Sequence, residues 1–294
     1  MRRVTHIREN SNNFWFSPHL IVPLQPKMIN LAMKRLLIMV LWAVSLTVTA
    51  VAQVPLDVVM LGDSNTWIGG DDCDRLTGWN RWFKDAFQPR SCKSYARSGA
   101  TWTNTRQTRR NTQENIGVLG DDNVIFNQIC RLEEAVDSGI QPKPQLILIL
   151  AGTNDAWFQK ARPLAFSMTA QEAFASDSTI TDHDVAQIVT LAASVRYGCE
   201  LLKAAYPEAR VMLLTPFQSV AAGVENIRRT GDIIAGCGQL MGLDVIRLDR
   251  LSGISAAHEK VKHRYTTDGT HTSVAGARQV GTLVARQVKS LLQP

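Results

Sequence analysis

Leu146-Ile147-Leu148-Ile149-Leu150 is an unbroken aliphatic run closed off by Pro144 before it and Gly152 after it. A segment that short is a strand length, and with no polar residue it has no face to give to water. Three similar runs occur: Val58–Leu61 before Gly62, Val211–Leu214 before Pro216, and Val245–Leu248 ending near Asp249. Runs of this kind suit strands covered on both faces, as in a parallel sheet. Ser94-Tyr95-Ala96 is a weaker fifth candidate.

Amphipathic patterns separate the runs. From Asn123 to Ser138, Ile125, Ile129, Leu132 and Val136 fall on one helical stripe, which stops at Gly139. Asp184 to Ala205 is apolar on one side and ends before Pro207, and Ala222 to Met241 is a fainter case. Ser273 to Leu292 starts on an N-capping serine and carries Val274, Ala277, Val280, Val284 and Val288 along one face. Alternating strands and helices with no internal repeat predict one doubly wound α/β domain over 53–294. The stretches 103–122 and 161–182 read as long loops or insertions.

In open α/β sheets, chemistry collects beyond the carboxyl ends of the strands. After the first run comes Gly62-Asp63-Ser64-Asn65. A serine on a strand-end turn exposes its hydroxyl beside backbone N–H groups; taken alone it is equally a helix cap. After the weak strand comes Ser98-Gly99-Ala100-Thr101, where a glycine lets the backbone approach a ligand. After the strongest run comes Gly152-Thr153-Asn154-Asp155, whose amide is an uncharged donor or an Asx-turn residue. Before the last helix comes Asp268-Gly269-Thr270-His271. A carboxylate three residues before a histidine in a turn can hold Nδ1–H and leave Nε2 free as a base. His183, His258 and His263 have no comparable neighbour and read as solvated.

In this order, the blocks GDSN, SGAT, GTND and DGTH resemble the SGNH (GDSL-like) hydrolase superfamily over nearly all of 56–294. The resemblance implies a flavodoxin-like three-layer α/β/α sandwich with a mostly parallel central sheet. It implies Ser64 as nucleophile, His271 as general base and Asp268 as its orienting partner. It implies an oxyanion hole from Ser64 N–H, Gly99 N–H and the Asn154 side chain, and a reaction needing no metal and no other cofactor. Asn65 stands where the four-letter name has leucine, and Arg97-Ser98 precedes Gly99 where many members place asparagine.

The formal charge of +6 does not point to nucleic acid. Arg2, Arg3, Arg8, Lys27, Lys34 and Arg35 precede residue 53 with only Glu9 against them, which leaves the rest of the chain nearly neutral. Residues 33–52 have a basic start, an apolar run from Leu36 to Val48 and a small-x-small end at Ala50-Val51-Ala52. That is the pattern of a signal peptide, so export to a periplasm or the exterior is expected, with no membrane association once it is cleaved. Residues 1–32 read as a mis-called extension, with Met33 or Met28 as the expected initiator. An oxidising compartment permits a disulfide, and Cys73 with Cys92 is the candidate pair because both fall in expected loops. Cys130 and Cys199 sit in helical patterns as small apolar residues, and the cysteine spacing matches no zinc site.

Every tryptophan after residue 53 lies between Trp67 and Trp157. Trp67, Trp102 and Trp157 each follow a block residue by three positions and could line a cleft for a sugar or an apolar acyl group. Trp79 and Trp82 suit packing of the first helix on the sheet. Arg75, Arg97 and Arg106 could meet an anionic group; their plain reading is surface solvation. The expected activity is ester hydrolysis, with acetylated glycan as one substrate class. The rivals are an O-acyltransferase or a lipid acylhydrolase on the same residues, and a non-catalytic glycan-binding module. A metallophosphoesterase lacks the histidines it would need.

Overall fold

The computed structural model describes residues 55–113 and 123–293, together with helical positions at 30 and 33–35. The chain divides into a unit at Met1–Gln53 and a unit at Val54–Pro294. Apart from those helical positions, the expected extension at 1–32 and the signal segment at 33–52 lie outside the described residues, as does 114–122 of the first expected loop. No described helix is long and apolar enough to cross a membrane.

The second unit is built on five parallel strands: β1 Asp57–Gly62, β2 Ser91–Ser94, β3 Leu146–Leu150, β4 Arg210–Leu214 and β5 Asp244–Ile246, in the order β2-β1-β3-β4-β5. That is the flavodoxin-like strand order. The register sets Gly62 of β1 opposite Leu150 of β3, so both strands end at one level.

Around the sheet run α1 Ser64–Trp67, α2 Trp79–Phe87, α3 Ile125–Asp137, α4 Thr153–Trp157, α5 Ala170–Ala173, α6 Leu191–Ala205, α7 Val224–Leu240, α8 Leu248–Leu251, α9 Ala256–Val261 and α10 Val274–Leu291. Alternate strand residues enter two separate cores. Val59, Leu61, Ile147, Ile149, Val211 and Leu213 meet α3, α6 and α7 through Ile129, Val195 and Ile234. Val58, Met60, Leu146, Leu148, Met212 and Leu214 meet α2 and α10 through Phe83, Val280 and Val284. The sheet is therefore covered on both faces, which is why its strands carry no polar alternation. Ser273 caps α10, accepting from Gly276 N–H at 3.2 Å.

At three of these segments the structure departs from the sequence reading. The weak strand is Ser91–Ser94, three residues earlier than expected, because an edge strand with one neighbour does not need an apolar run. The long helix starts at Leu191, where Thr190 caps it; the preceding Val185–Gln187 is a 3₁₀ turn. The insertion 161–182 holds a 3₁₀ turn at Pro163–Phe166 and α5, and it is pinned by Arg196. That buried guanidinium donates to the carbonyls of Ala173, Ser176 and Ser178, and pairs with Glu200 at 2.7 Å.

Candidate active site

The end of β1 is fixed from both sides. Gly62 exchanges two hydrogen bonds of 2.8 Å with the side-chain amide of Gln128 on α3. Asp63 N–H donates to Leu150 O at 3.1 Å, extending the pairing with β3 past the strand. The Asp63 carboxylate caps α1 by accepting from Asn65 N–H at 3.0 Å. Ser64 is the first residue of that helix, so its N–H has no partner within the helix. Asp63 is wholly buried, and burial pushes its carboxyl up to about 6 against the opposing pull of Asn65, Thr153 and His271.

The other two strand-end turns are tied to this one. Arg97 N–H donates to Gly62 O at 3.1 Å, bringing the Gly99 loop beside the Ser64 turn. Gly99 has φ +74, a left-handed conformation that costs glycine nothing and an alanine roughly 1 kcal/mol or more. The Asn154 amide reaches the same loop, with Nδ2 donating to Ala100 O at 2.9 Å. Only one of its two N–H bonds is used there. Asp155 locks the arrangement: its carboxylate accepts from Trp102 N–H at 3.0 Å, Thr103 N–H at 2.9 Å and the Thr103 hydroxyl. Burial pushes the Asp155 carboxyl up while these donors oppose the shift.

The fourth block closes the site. Asp268 Oδ1 accepts from Thr270 N–H at 2.9 Å and His271 N–H at 2.8 Å. Asp268 Oδ2 lies 2.7 Å from His271 Nδ1, and His271 Nε2 lies 3.0 Å from Ser64 Oγ. An ionised carboxylate only accepts, so the ring proton sits on Nδ1 and Nε2 is left to accept from the serine hydroxyl. Burial raises the Asp268 carboxyl, but the hydrogen bonds from His271 and Thr270 outweigh it and hold it below the usual range. Residues more than 200 positions apart in sequence thus form one line of hydroxyl, imidazole and carboxylate.

Residues 60–279 match the GDSL-like lipase/acylhydrolase family. The chain belongs to that family. It is similar in fold to a structure from Chitinophaga pinensis described as a possible lipase, with TM-score 0.51 and 16% identity over 80% of this chain and 98% of that one. A protein from Lactobacillus plantarum superposes with TM-score 0.50 and 16% identity over 81% and 97%. An acetyl xylan esterase superposes with TM-score 0.48 and 17% identity over 81% and 100%. No curated protein matches the sequence.

In this GDSL-like chain the other expected residues are distributed unevenly. Trp102 corrects the expectation of a cleft wall: it is 1% exposed, and its ring lies in the core against Gly198 of α6. The Asp155 bond to its backbone holds the loop so that the side chain turns inward. Trp67 is half-buried, and Trp157 is exposed on α4. Trp79 is in the core and donates Nε1–H to Thr66 Oγ1 at 3.0 Å, bracing α1 from behind. Arg97 is not a surface charge. It is buried and pairs with Asp71 at 3.0 Å, while Arg75 and Arg106 are exposed. The expected Cys73–Cys92 bridge is absent: both are buried free thiols, as are Cys130 and Cys199, and Cys92 lies on β2 and not in a loop.

Asp155 and Gln128 are the two site residues whose tasks the structure adds. An amide at the helical spacing of Ile125 and Leu132 is the available signal for Gln128.

Proposed function

We propose that this chain is an exported serine esterase that hydrolyses carboxylic esters through a Ser64-His271-Asp268 acyl-enzyme mechanism. The observation that carries it is the 3.0 Å approach of His271 Nε2 to Ser64 Oγ, backed by the 2.7 Å approach of Asp268 to Nδ1. A serine hydroxyl is a weak nucleophile until a base accepts its proton.

Ser64 Oγ attacks the ester carbonyl carbon while its proton passes to His271 Nε2. Asp268 holds the ring in place and stabilises the imidazolium that forms. The tetrahedral oxyanion is met by Ser64 N–H, Gly99 N–H and the spare N–H of Asn154. Collapse expels the alcohol, protonated from Nε2, and leaves an acyl group on Ser64. Water then attacks with His271 as base, releasing the acid and restoring the serine.

The substrate class we assign is an acetylated extracellular glycan. Trp67 and Trp157 each stand three residues beyond a block residue, the first half-buried and the second exposed, and such rings suit stacking of a sugar. The leader-like segment at 33–52 supports export.

Hydrolysis of p-nitrophenyl acetate, with and without EDTA, tests the chemistry beside Ser64→Ala; acetate release from acetylated xylan tests the substrate. Activity that survives EDTA and vanishes in Ser64→Ala is expected, together with acetate release. Activity unchanged in Ser64→Ala removes the mechanism. Good aryl-ester cleavage with no acetate from any acetylated glycan removes the substrate class and favours lipid esters. Acyl transfer to an added alcohol that outcompetes hydrolysis favours an O-acyltransferase. Glycan binding without turnover favours a non-catalytic module.

A further inference from the structure

The turn that carries Asp268 and His271 belongs to no strand and to no helix, yet its geometry is tightly specified. It is closed by Thr267 N–H donating to His271 O at 2.8 Å and by the Ser219–Thr270 hydroxyl pair at 2.8 Å, and a further line of support leads back to one carboxylate. Glu259, on α9, is 1% exposed. It accepts from the backbone N–H of Arg264 at 3.0 Å, Tyr265 at 3.0 Å and Thr266 at 2.9 Å, and from the Thr266 hydroxyl at 2.6 Å. A buried charge is tolerated when its lone pairs are filled in this way. Burial alone would raise its carboxyl, but these donors hold it below the usual range.

The Thr266 hydroxyl has one proton, and Glu259 accepts it. A lone pair on Thr266 Oγ1 is thereby turned to receive Gly269 N–H at 3.1 Å. Gly269 sits between Asp268 and Thr270, and its carbonyl is held by Val220 N–H at 2.8 Å. From there the bonds run through Asp268 to His271 and Ser64. The line Glu259–Thr266–Gly269–Asp268–His271–Ser64 is unbroken.

We infer that Glu259 and Thr266 are positioning residues for the Asp268–His271 pair, acting through the Gly269 amide. This rests on the esterase reading for its kinetic readout but not for its structural one. Thr266→Val keeps shape and deletes the relay; Thr266→Ser keeps the hydroxyl. Both are compared with wild type for kcat and KM on p-nitrophenyl acetate, for thermal midpoint, and for hydrogen exchange of the Gly269 amide by NMR.

Thr266→Val is expected to lower kcat by about 10- to 100-fold, the scale of a misplaced catalytic group, with KM within about twofold. Its Gly269 amide should exchange at least about tenfold faster, the scale of one lost hydrogen bond. Thr266→Ser should restore both. Equal kcat in wild type and Thr266→Val overturns the inference, as does a fall in Thr266→Ser as large as in Thr266→Val. If wild type proves inactive on the ester, the esterase reading fails separately. The exchange measurement then decides the relay: equal exchange in wild type and Thr266→Val overturns it. Glu259→Gln provides a second break in the line, since its amide N–H₂ would face N–H donors, and it should match Thr266→Val in the direction of every change.

Discussion

The two halves of the site are held by different physics. Ser64 sits 5% exposed at the end of a central strand, on a turn whose backbone is clamped by Gln128 and β3 and backed by Trp79. Asp268 has a side chain 52% exposed, on a turn held by hydrogen bonds to neighbouring loops. The Ser64 half is hydrogen-bonded to a strand and a helix that are themselves anchored in the hydrophobic core; the His271 half is hydrogen-bonded to irregular loops. Substitutions on the first side should therefore change chemistry with little change in geometry. Those on the second should loosen the geometry first.

The largest expected effect is loss of the reacting groups themselves. Ser64→Ala should lower ester turnover on the order of 10⁴- to 10⁶-fold, and His271→Ala comparably. The double variant should be no worse than either, because the residues act as a unit. Additive losses, measured as kcat in the double-mutant cycle, would break the picture of one coupled line.

Asn154→Ala removes a donor from the well-anchored half. A fall of about 100- to 1,000-fold in kcat with KM nearly unchanged is the expected result, since the donor acts on charge that develops in the transition state. A change confined to KM would place Asn154 in ground-state binding instead.

Gly269→Ala probes the other half. An added Cβ would lie 2.8 Å from Val220 Cγ2, at a backbone with φ +83. We expect a stability loss of about 1–3 kcal/mol by denaturant melt and, with it, a kcat lower by about tenfold. A melt shift without a kcat change would show that the base turn tolerates displacement.

Asp63→Asn removes no reacting group and acts on the pH dependence of stability. The folded-state value of Asp63, about 6, lies above the ordinary 3.8, so the native state holds the proton more tightly than the unfolded chain does. Stability from this group is therefore gained as pH falls from about 6 towards about 4, and its charge is a cost above that window. Asp63→Asn should flatten this slope and gain relative stability at pH 7 and above. Thermal melts from pH 4 to 8 measure the slope, and an unchanged slope removes Asp63 as its source.

The core half was largely readable from residues alone. Strands β1, β3 and β4 are apolar on both faces because both faces are covered, and α3, α6, α7 and α10 carry stripes because only one face is. β1 and β3 end in the Ser64 and Asn154 blocks, α10 follows the His271 block, and α3 carries Gln128 against Gly62. β2 leaves little trace in the sequence because Ser91-Cys92-Lys93-Ser94 needs to satisfy one neighbour only. Three positions from Gly99 fixes the nearness of Trp102 along the chain but not the direction of its side chain, which points into the core. The supports of the base turn were not readable. Glu259 and Thr266 act through backbone N–H groups of an irregular loop, and such bonds have no period in the sequence.

The central claim is that Ser64, activated by His271, is the nucleophile. Treating the whole chain with a fluorophosphonate and mapping the adduct by peptide mass spectrometry tests it most directly. The account predicts a single phosphonyl group on Ser64, with labelling slowed strongly in His271→Ala. Labelling of a different residue, or labelling of Ser64 at the same rate without His271, would contradict it.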